Sequence, residues 1–449
     1  MAFASGAPTN NRPRLLQAGI DAFKQPEIRA KLLFILGLLL IFRLIAHVPV
    51  PGVDREQLRQ TFESNAILGF LNIFSGGALQ NLSIAALGVY PYITASIVMQ
   101  LATPLMPRLR ALSQEGGEAG RQKIQTYTHW LTLPLAAFQG YAQLLLIQRL
   151  GGITSIGLGF NSQGLVTLAT LVSMVAGTML LVWMGELISE KGLGNGVSMI
   201  ILAGIVAGLP SLIGRGVLTG TGAALGGLFL LSVVAIAVIM MIVVFNEGQR
   251  RIPVQYARSQ FKGGRLYRQQ GQTHIPLKVN GAGMIPLIFA TSFMIFPPAF
   301  AQFVANTADV GWIANVAGHL SSWLSPTAPI YWVGTFILVM VMTFFYTMVV
   351  FQQQDLPTNL QRQGGFIPGI RPGRPTADYI TRVLVRITWG GALFLGFVAV
   401  LPFLATRLTN VQALQISATG LLIVVGVVID TMRQIEAQMT MRNYEGFIR

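Results

Sequence analysis

The sequence predicts an all-α polytopic membrane protein. Of its 449 residues, 53% are hydrophobic and only 10% are charged, whereas about 25% of the residues of an average soluble protein are charged. Apolar runs long enough to cross a bilayer recur along the chain, and Lys and Arg are concentrated in alternate loops between them. This composition excludes a soluble globular function.

Ten apolar runs have spanning length, since a transmembrane helix needs roughly 20 apolar residues. They lie near residues 32–50, 82–106, 124–148, 165–185, 196–214, 222–245, 281–301, 330–351, 379–403 and 413–432. Five spans in each half invert the second half relative to the first, which predicts an inverted repeat with a pore or site at its interface. The predicted halves are residues 32–214 and 215–435, flanked by an amino-terminal segment (1–31) and a tail (436–449).

The distribution of Lys and Arg predicts the orientation. With the amino terminus inside, 25 of the 31 Lys and Arg residues lie in cytoplasmic segments and 5 in outer loops, while Arg43 lies within the first run. By the positive-inside rule both termini are cytoplasmic. The amino-terminal segment lacks the short apolar core and small-residue cleavage site of a signal peptide, so we expect the first span to be retained.

A broken span is the unusual feature of the first half. Its first piece, residues 65–76, is too short to cross a bilayer. Gly76 and Gly77 end this piece, because adjacent glycines weaken a helix by about 1 kcal/mol each. Non-helical backbone within a membrane is tolerated only where protein or a water-filled cavity surrounds it. The piece is therefore predicted to be a re-entrant half-helix inside a channel.

The run that follows, near residues 82–106, is long enough to span. It places Val89 and Ile93 four residues apart on one helical face, and Thr94 makes a neighbouring part of the surface polar. An ordinary packed span, whose hydroxyl groups bond to the preceding turn, explains the same pattern. This run alone therefore leaves both interpretations open.

Two cytoplasmic loops, residues 246–279 and 352–378, are longer than most connections. Alternating polar and apolar residues on both sides of the Lys262–Arg265 turn predict a projecting hairpin. The second loop contains Gly364–Gly373, which is too rich in Gly and Pro to be helical. The basic residues of these loops suit the binding of a partner, or they only fix topology and touch anionic lipid.

No catalytic, cofactor or metal site is predicted. The chain has no cysteine and four scattered histidines, and it shows neither a nucleophile with its base nor a phosphate-binding glycine loop. An inverted-repeat secondary transporter is the alternative, but such proteins usually carry paired charges at mid-membrane. Glu186 and Asp430 lie near cytoplasmic ends, and Arg43 can snorkel from the outer part of its span. Energy for directed movement must then come from a partner.

Eight stretches carry a resemblance to a known family. They are His47–Val53, Phe74–Leu79, Ala86–Ser96, Trp183–Gly196, Gly248–Ile252, Asn280–Ala290, Phe366–Gly373 and Gly426–Asp430. In this order and spacing, over nearly the whole chain, they resemble the SecY family, the central subunit of the bacterial protein-conducting channel. The resemblance implies two inverted five-helix halves around a central hourglass pore, which opens towards lipid between the second and seventh spans. It implies no enzymatic activity.

The resemblance also implies site residues. Residues 65–76 would be a plug, represented by Asn65, Phe70, Asn72, Phe74, Ser75 and Gly76. The constriction would be lined by Val89, Ile93, Ile201, Ile288, Ser292 and Ile423. Of these, Val89 and Ser292 are less bulky than the isoleucines favoured in such a ring, which predicts a slightly looser seal. The lateral gate would carry polar residues at Thr94, Gln139 and Asn280.

The implied function is passage of unfolded secretory polypeptides across the membrane, with sideways release of signal or transmembrane helices into lipid. Arg371 would dock the SecA ATPase or the ribosome, with Arg250 and Arg251 as secondary contacts, because guanidinium groups suit carboxylates and phosphates. Other implied partners are the small membrane subunits SecE and SecG, the secretory and membrane protein precursors, and the lipid bilayer. The implied location is the bacterial inner (plasma) membrane.

Overall fold

A computed structural model describes most of the chain. The described residues are 25–50, 77–114, 116–149, 162–218, 222–262, 265–281, 283, 285–307, 311–325, 328–354, 356–409 and 414–445. Within them the chain is mostly helical and contains one small antiparallel sheet. The predicted all-helical membrane class is consistent with this architecture.

The described helices follow one another along the chain. They are α1 (Pro26–Ile45), α2 (Tyr90–Leu105), α3 (Pro107–Gln114), α4 (Gly117–Arg149), α5 (Ser162–Lys191), α6 (Gly196–Leu218), α7 (Gly222–Glu247), α8 (Ile285–Thr307), α9 (Gly311–Trp323), α10 (Pro329–Gln354), α11 (Leu356–Arg362), α12 (Arg374–Thr409) and α13 (Leu414–Glu445). The strands are β1 (Gln249–Lys262), β2 (Arg265–Lys278) and β3 (Gly365–Phe366).

Each predicted apolar run overlaps one of these helices. Among the described residues, three segments are both long and apolar enough to cross a membrane by length and composition: Gly164–Lys191, Pro329–Arg362 and Arg374–Leu401. The count of ten spans and their division into two inverted halves stay predictions. Many large apolar side chains are exposed on the surface of the helices, as they are on helices that face lipid.

The second predicted span begins later than its apolar run. Helix α2 starts at Tyr90, whereas residues 77–89 form turns. The sequence prediction of a continuous span from residue 82 was wrong because Gly88 has a φ of 59° and Leu82 a φ of 37°, which no α-helix contains. Pro91 then occupies the first turn of α2, where its missing N–H is not needed.

The turns before α2 are tied to the segment after α1. The Val50 N–H donates to the Leu82 carbonyl at 2.9 Å, and the Ile84 N–H donates to the Val48 carbonyl at 3.0 Å. This short ladder satisfies backbone groups that no helix satisfies there. Residues 51–76, which include the whole predicted plug, lie outside the described residues.

Small residues let the turns and helices approach closely. The backbone of Ile84 lies against Gly177 of α5, where a Cβ would come within 2.0 Å of the Ile84 carbonyl oxygen. After the end of α5, Gly194 has a φ of 84° in the turn to α6. Such close contacts between backbones are typical of membrane helix packing.

The predicted hairpin is confirmed. Strands β1 and β2 pair antiparallel over their full length, from Gln249 opposite Lys278 to Lys262 opposite Arg265. Their shared face contributes Ile252, Val254 and Leu277 to a buried cluster beneath the sheet. Strand β3 joins the other edge of β1, and the sheet order is β2-β1-β3.

Three helices had no counterpart in the sequence prediction. Helix α3 follows α2 directly, α9 lies between α8 and α10, and α11 lies within the second long loop. Each is short and has no run of spanning length. The stretch from Gly364 to Gly373 is otherwise without helix, as predicted.

The contact between α5 and the turns before α2 predicts the effect of one substitution. Gly177→Ala should lower the free energy of unfolding by about 2 kcal/mol, because overpacking against immovable backbone costs about 1–3 kcal/mol. The midpoint of thermal unfolding in detergent measures this loss. Gly37→Ala in α1 is the control, since nothing lies within 4 Å of a Cβ built there. Equal midpoints for both variants would contradict the packing described.

Candidate functional site: an aliphatic cluster, a polar seam and a basic loop

Aliphatic side chains from four regions of the sequence meet in one buried cluster. Val89, Ile201, Ile288 and Ile423 are 2%, 4%, 9% and 1% exposed, and all belong to the same hydrophobic core. Ile93 packs against this core and is half-buried. We call these five residues the aliphatic cluster. The structure thus brings together five of the six side chains for which a pore-lining role was predicted.

Separate helices position the members of the aliphatic cluster. Val89 directly precedes α2, and its carbonyl accepts the N–H of Ile93 at 3.1 Å, so that the two side chains lie one turn apart. Ile201, Ile288 and Ile423 lie on α6, α8 and α13. The sixth predicted residue, Ser292, lies one turn beyond Ile288 on α8, and its side chain is outside the described part.

The helices that carry the aliphatic cluster approach one another directly. Helix α2 contacts α8, and α6 contacts α13. One turn before Ile423, a Cβ built on Gly420 would lie 3.1 Å from Ile205 of α6. Burial of the cluster side chains excludes water between these helices in the conformation of this structure. An aliphatic wall of this kind blocks ions by dewetting and makes no hydrogen bonds that must be broken when it opens.

A polar seam lies between α2 and α4. The Gln139 amide Nε2 donates to Thr94 Oγ1 at 3.3 Å, and Thr94 Oγ1 donates to the Tyr90 carbonyl at 2.9 Å. The other amide atom, Gln139 Oε1, is buried without a hydrogen-bond partner among the described residues. Two of the three residues predicted for the lateral gate are therefore in contact.

Asn280, the third residue predicted for the gate, precedes α8 and is 7% exposed. Its neighbour Val279 packs against α12, where a Cβ built on Gly391 would lie 2.4 Å from the Val279 carbonyl oxygen. Within the described residues Asn280 Oδ1 has no hydrogen-bond partner. Such a buried and unpaired polar atom costs roughly 1–3 kcal/mol. No contact between Asn280 and the Thr94–Gln139 pair is among those described.

Arg371 is presented by a tight turn that follows β3. It is exposed, and its carbonyl accepts a hydrogen bond from Thr376 Oγ1 at 2.8 Å. Gly369 and Gly373 on either side have φ values of 82° and 103°, which only glycine adopts easily. Ile367 is buried in the cluster beneath the sheet. The turn is thus anchored by apolar packing, and the guanidinium of Arg371 is left accessible.

The two long loops form one unit. Gln255 and Tyr256 of β1 pair with Phe366 and Gly365 of β3. Arg250 and Arg251, at the start of β1, are exposed like Arg371. The same partners are predicted for these arginines from the sequence, but the sheet that joins their loops is not predicted from it. The pairing rests on a two-residue strand, which carries no recognisable sequence pattern.

Two side-chain contacts of glutamates were also not foreseen. Glu186 Oε1 of α5 lies 2.6 Å from His129 Nε2 of α4 and accepts a hydrogen bond from Gln125 Nε2 at 2.7 Å. Glu247 Oε1, at the end of α7, pairs with an Nη atom of Arg433 of α13 at 2.7 Å. Both pairs join residues far apart in the sequence. Their spacing in the sequence therefore does not indicate that they are in contact.

The described residues contain no group of three or more His, Asp or Glu side chains placed to hold a metal ion. The chemistry available at the aliphatic cluster is that of hydrocarbon alone. The charged groups lie towards the helix ends and the sheet.

Comparisons with known proteins agree with this arrangement. The family model described as SecY matches residues 83–432. The "Protein translocase subunit SecY" of Streptomyces scabiei is 41% identical over 449 residues, which cover 97% of this chain and 100% of the relative.

Two solved structures share the fold at low sequence identity. One is described as "The plug domain of the SecY protein stablizes the closed state of the translocation channel and maintains a membrane seal"; it has a TM-score of 0.59 at 17% identity and covers 93% of this chain and 96% of its own. The other, "Sec61 in the Canine ribosome-channel complex from the endoplasmic reticulum", has a TM-score of 0.57 at 16% identity, with the same coverage of 93% and 96%.

The fold is therefore that of a helical membrane protein of the translocation-channel type. The chain belongs to the SecY family.

The contact between the two loops generates a prediction. A Cβ on Gly365 would lie 2.8 Å from Cε1 of Tyr256 and 3.3 Å from Leu360. Gly365→Val should separate β3 from β1 and raise the rate of tryptic cleavage after Arg362, which ends α11 just before β3, about tenfold, because cleavage requires local opening of the chain.

The double variant Gly365→Ala/Tyr256→Ala serves as the control, since removal of the ring makes room for a methyl group. Its cleavage rate should lie closer to that of the parent chain than the rate of Gly365→Val does. If Gly365→Val is cleaved no faster than the parent chain, the strand pairing does not hold this loop.

Proposed function

We propose that this chain is the central subunit of a protein-conducting channel. It passes unfolded secretory polypeptides across the membrane and releases signal or transmembrane helices sideways into lipid. The observation that carries this proposal is the aliphatic cluster, to which α2, α6, α8 and α13 all contribute. A substrate of variable sequence needs a wall that fits many side chains loosely and binds none of them through hydrogen bonds.

The proposed topology has ten spans in two inverted halves, with both termini cytoplasmic in the bacterial plasma membrane. The spans are α1, α2, α4, α5, α6, α7, α8, α10, α12 and α13. Support comes from the excess of Lys and Arg in alternate loops. In this topology the three-stranded sheet and Arg371 lie on the cytoplasmic side, whereas α9 lies on the outer side.

In the proposed channel the aliphatic cluster, with Ser292, forms the constriction ring. Residues 65–76, including Asn65, Phe70, Asn72, Phe74, Ser75 and Gly76, form the plug on its outer side. Val89 lies where the turns end and α2 begins, so that a change in the path of these turns acts directly on the ring. The smaller side chains of Val89 and Ser292 are expected to give a slightly looser seal than isoleucine would.

The proposed lateral gate lies between α2 with α4 on one side and α8 on the other. Thr94, Gln139 and Asn280 are its polar residues. Hydrogen bonds between membrane helices contribute only about 0.6 kcal/mol on average. The few contacts of this kind can hold the closed state and still yield when an apolar signal helix partitions into lipid.

The proposed partners act from both the cytoplasm and the membrane. Arg371 docks the SecA ATPase or the ribosome, and Arg250 and Arg251 make secondary contacts. The single sheet that joins these loops supports their action as one surface. SecE and SecG are the proposed small membrane subunits, and SecE clamps the two halves together.

Ion leakage tests the proposed ring. Ile423→Ser should raise the efflux of iodide from proteoliposomes roughly tenfold, because a hydroxyl group allows water to enter the constriction. Val428→Ser, on the same helix but 46% exposed, is the matched control and should leave efflux unchanged. Equal efflux from both variants would show that Ile423 does not contribute to the seal.

Precursor transport tests the docking site. Liposomes that contain this chain, SecE and SecA should protect a labelled precursor from protease only when ATP is present. Arg371→Glu should abolish this protection, because the charge reversal repels the carboxylate or phosphate bound there.

Arg362→Glu, an exposed charge reversal on the neighbouring α11, is the control and should retain most of the transport. Normal transport by Arg371→Glu would exclude the docking role. Accumulation of a small solute, with no protected precursor in the parent chain, would instead favour the secondary transporter.

A further inference from the structure

Helix α9 presents an apolar stripe that no described part of the chain covers. Trp312, Val316, Leu320 and Trp323 are 69%, 60%, 48% and 61% exposed. They stand at positions i, i+4, i+8 and i+11, which places them within an arc of about 80° around the helix. The protein packs against a different side of α9, where Ala317 is 7% exposed and α8 is the neighbour.

The same helix has a third side that is polar. Asn315, His319 and Ser322 are exposed on the side of the apolar stripe opposite to Ala317. No Asp, Glu, Lys or Arg occurs from Gly311 to Trp323. Helix α9 therefore has three sides: one packs against the protein, one is apolar and suits hydrocarbon, and one is polar and suits water. A helix that lies in the plane of a membrane interface needs this division.

The next helix of the chain also has an exposed apolar side. Helix α10 follows α9 after five residues, and its exposed side carries Ile330, Val333, Ile337 and Val341, each 54–59% exposed. This helix belongs to a segment that is long and apolar enough to cross a membrane. The two tryptophans of α9 fit the boundary at which such a span meets the headgroups, since Trp is enriched at that depth.

We propose that α9 is an interfacial anchor, which lies in the headgroup region of the bilayer with the stripe from Trp312 to Trp323 inserted among the lipid chains. Because α9 packs along α8, the anchor ties the end of α8 to the membrane surface. The assignment to the outer leaflet rests on the orientation proposed above, whereas the contact with lipid does not.

The absence of cysteine from the chain allows a direct test. A nitroxide label is attached to a single cysteine at Val316 or Leu320 on the stripe, and at Asn315 or Ser322 on the polar side as the matched controls. The accessibility of each label to oxygen and to a water-soluble nickel chelate is then measured in proteoliposomes. A label at Val333 of α10 supplies the reference for a lipid-facing site.

Labels on the stripe should favour oxygen over the nickel chelate by at least about threefold relative to the labels on the polar side, since oxygen concentrates in hydrocarbon. Four labels that are equally accessible to nickel would overturn the proposal, because α9 would then lie in water. Stripe labels shielded from both reagents would also overturn it, because a protein partner would then cover the stripe.

The leaflet is tested separately with a membrane-impermeant maleimide and the Asn315→Cys variant. Labelling in spheroplasts, but not in inverted vesicles, agrees with the outer leaflet. The reverse result would overturn the assigned leaflet and the proposed orientation together, whereas the contact with lipid would stand on the nitroxide measurement.

Discussion

Burial of aliphatic side chains from four helices in one cluster is the constraint on which the rest of the structure depends. Val89, Ile201, Ile288 and Ile423 are almost entirely shielded, and dispersion and the exclusion of water hold them together. When these side chains separate, no polar atom loses a hydrogen-bond partner. When a hydrogen-bonded contact separates, its donor and acceptor are left unpaired. A barrier built in this way can open for a polypeptide and close again without a fixed partner for each group.

The non-helical backbone before α2 depends on the same packing. Residues 77–89 make turns where an uninterrupted span would otherwise begin, and backbone groups of these turns bond to the segment after α1 and to one another. Gly177 of α5 leaves room for them. The turns end at Val89, so the path of this irregular segment determines where one wall of the aliphatic cluster stands. Val89 therefore links the irregular segment to the proposed constriction.

Features with a long or periodic pattern were predictable. The helices appeared as apolar runs, the hairpin as alternation around Lys262–Arg265, and the spacing of Val89 and Ile93 placed them one turn apart. Features that depend on contacts between distant segments were not predictable. The pairing of β3 with β1, the Glu186–His129 contact and the late start of α2 follow from tertiary packing, which local periodicity does not encode. Helix α9 was missed because its apolar stripe is too short for a span.

Chemical cross-linking of a stalled precursor tests the central claim most directly. The chain contains no cysteine, so one cysteine at position 423 and one in the stalled segment of the precursor report a single contact. Passage of the polypeptide through the aliphatic cluster predicts a disulfide from Ile423→Cys and none from Val428→Cys, which is exposed on the same helix. A precursor that is stalled in the membrane and cross-links to position 428 but not to 423 would contradict the account.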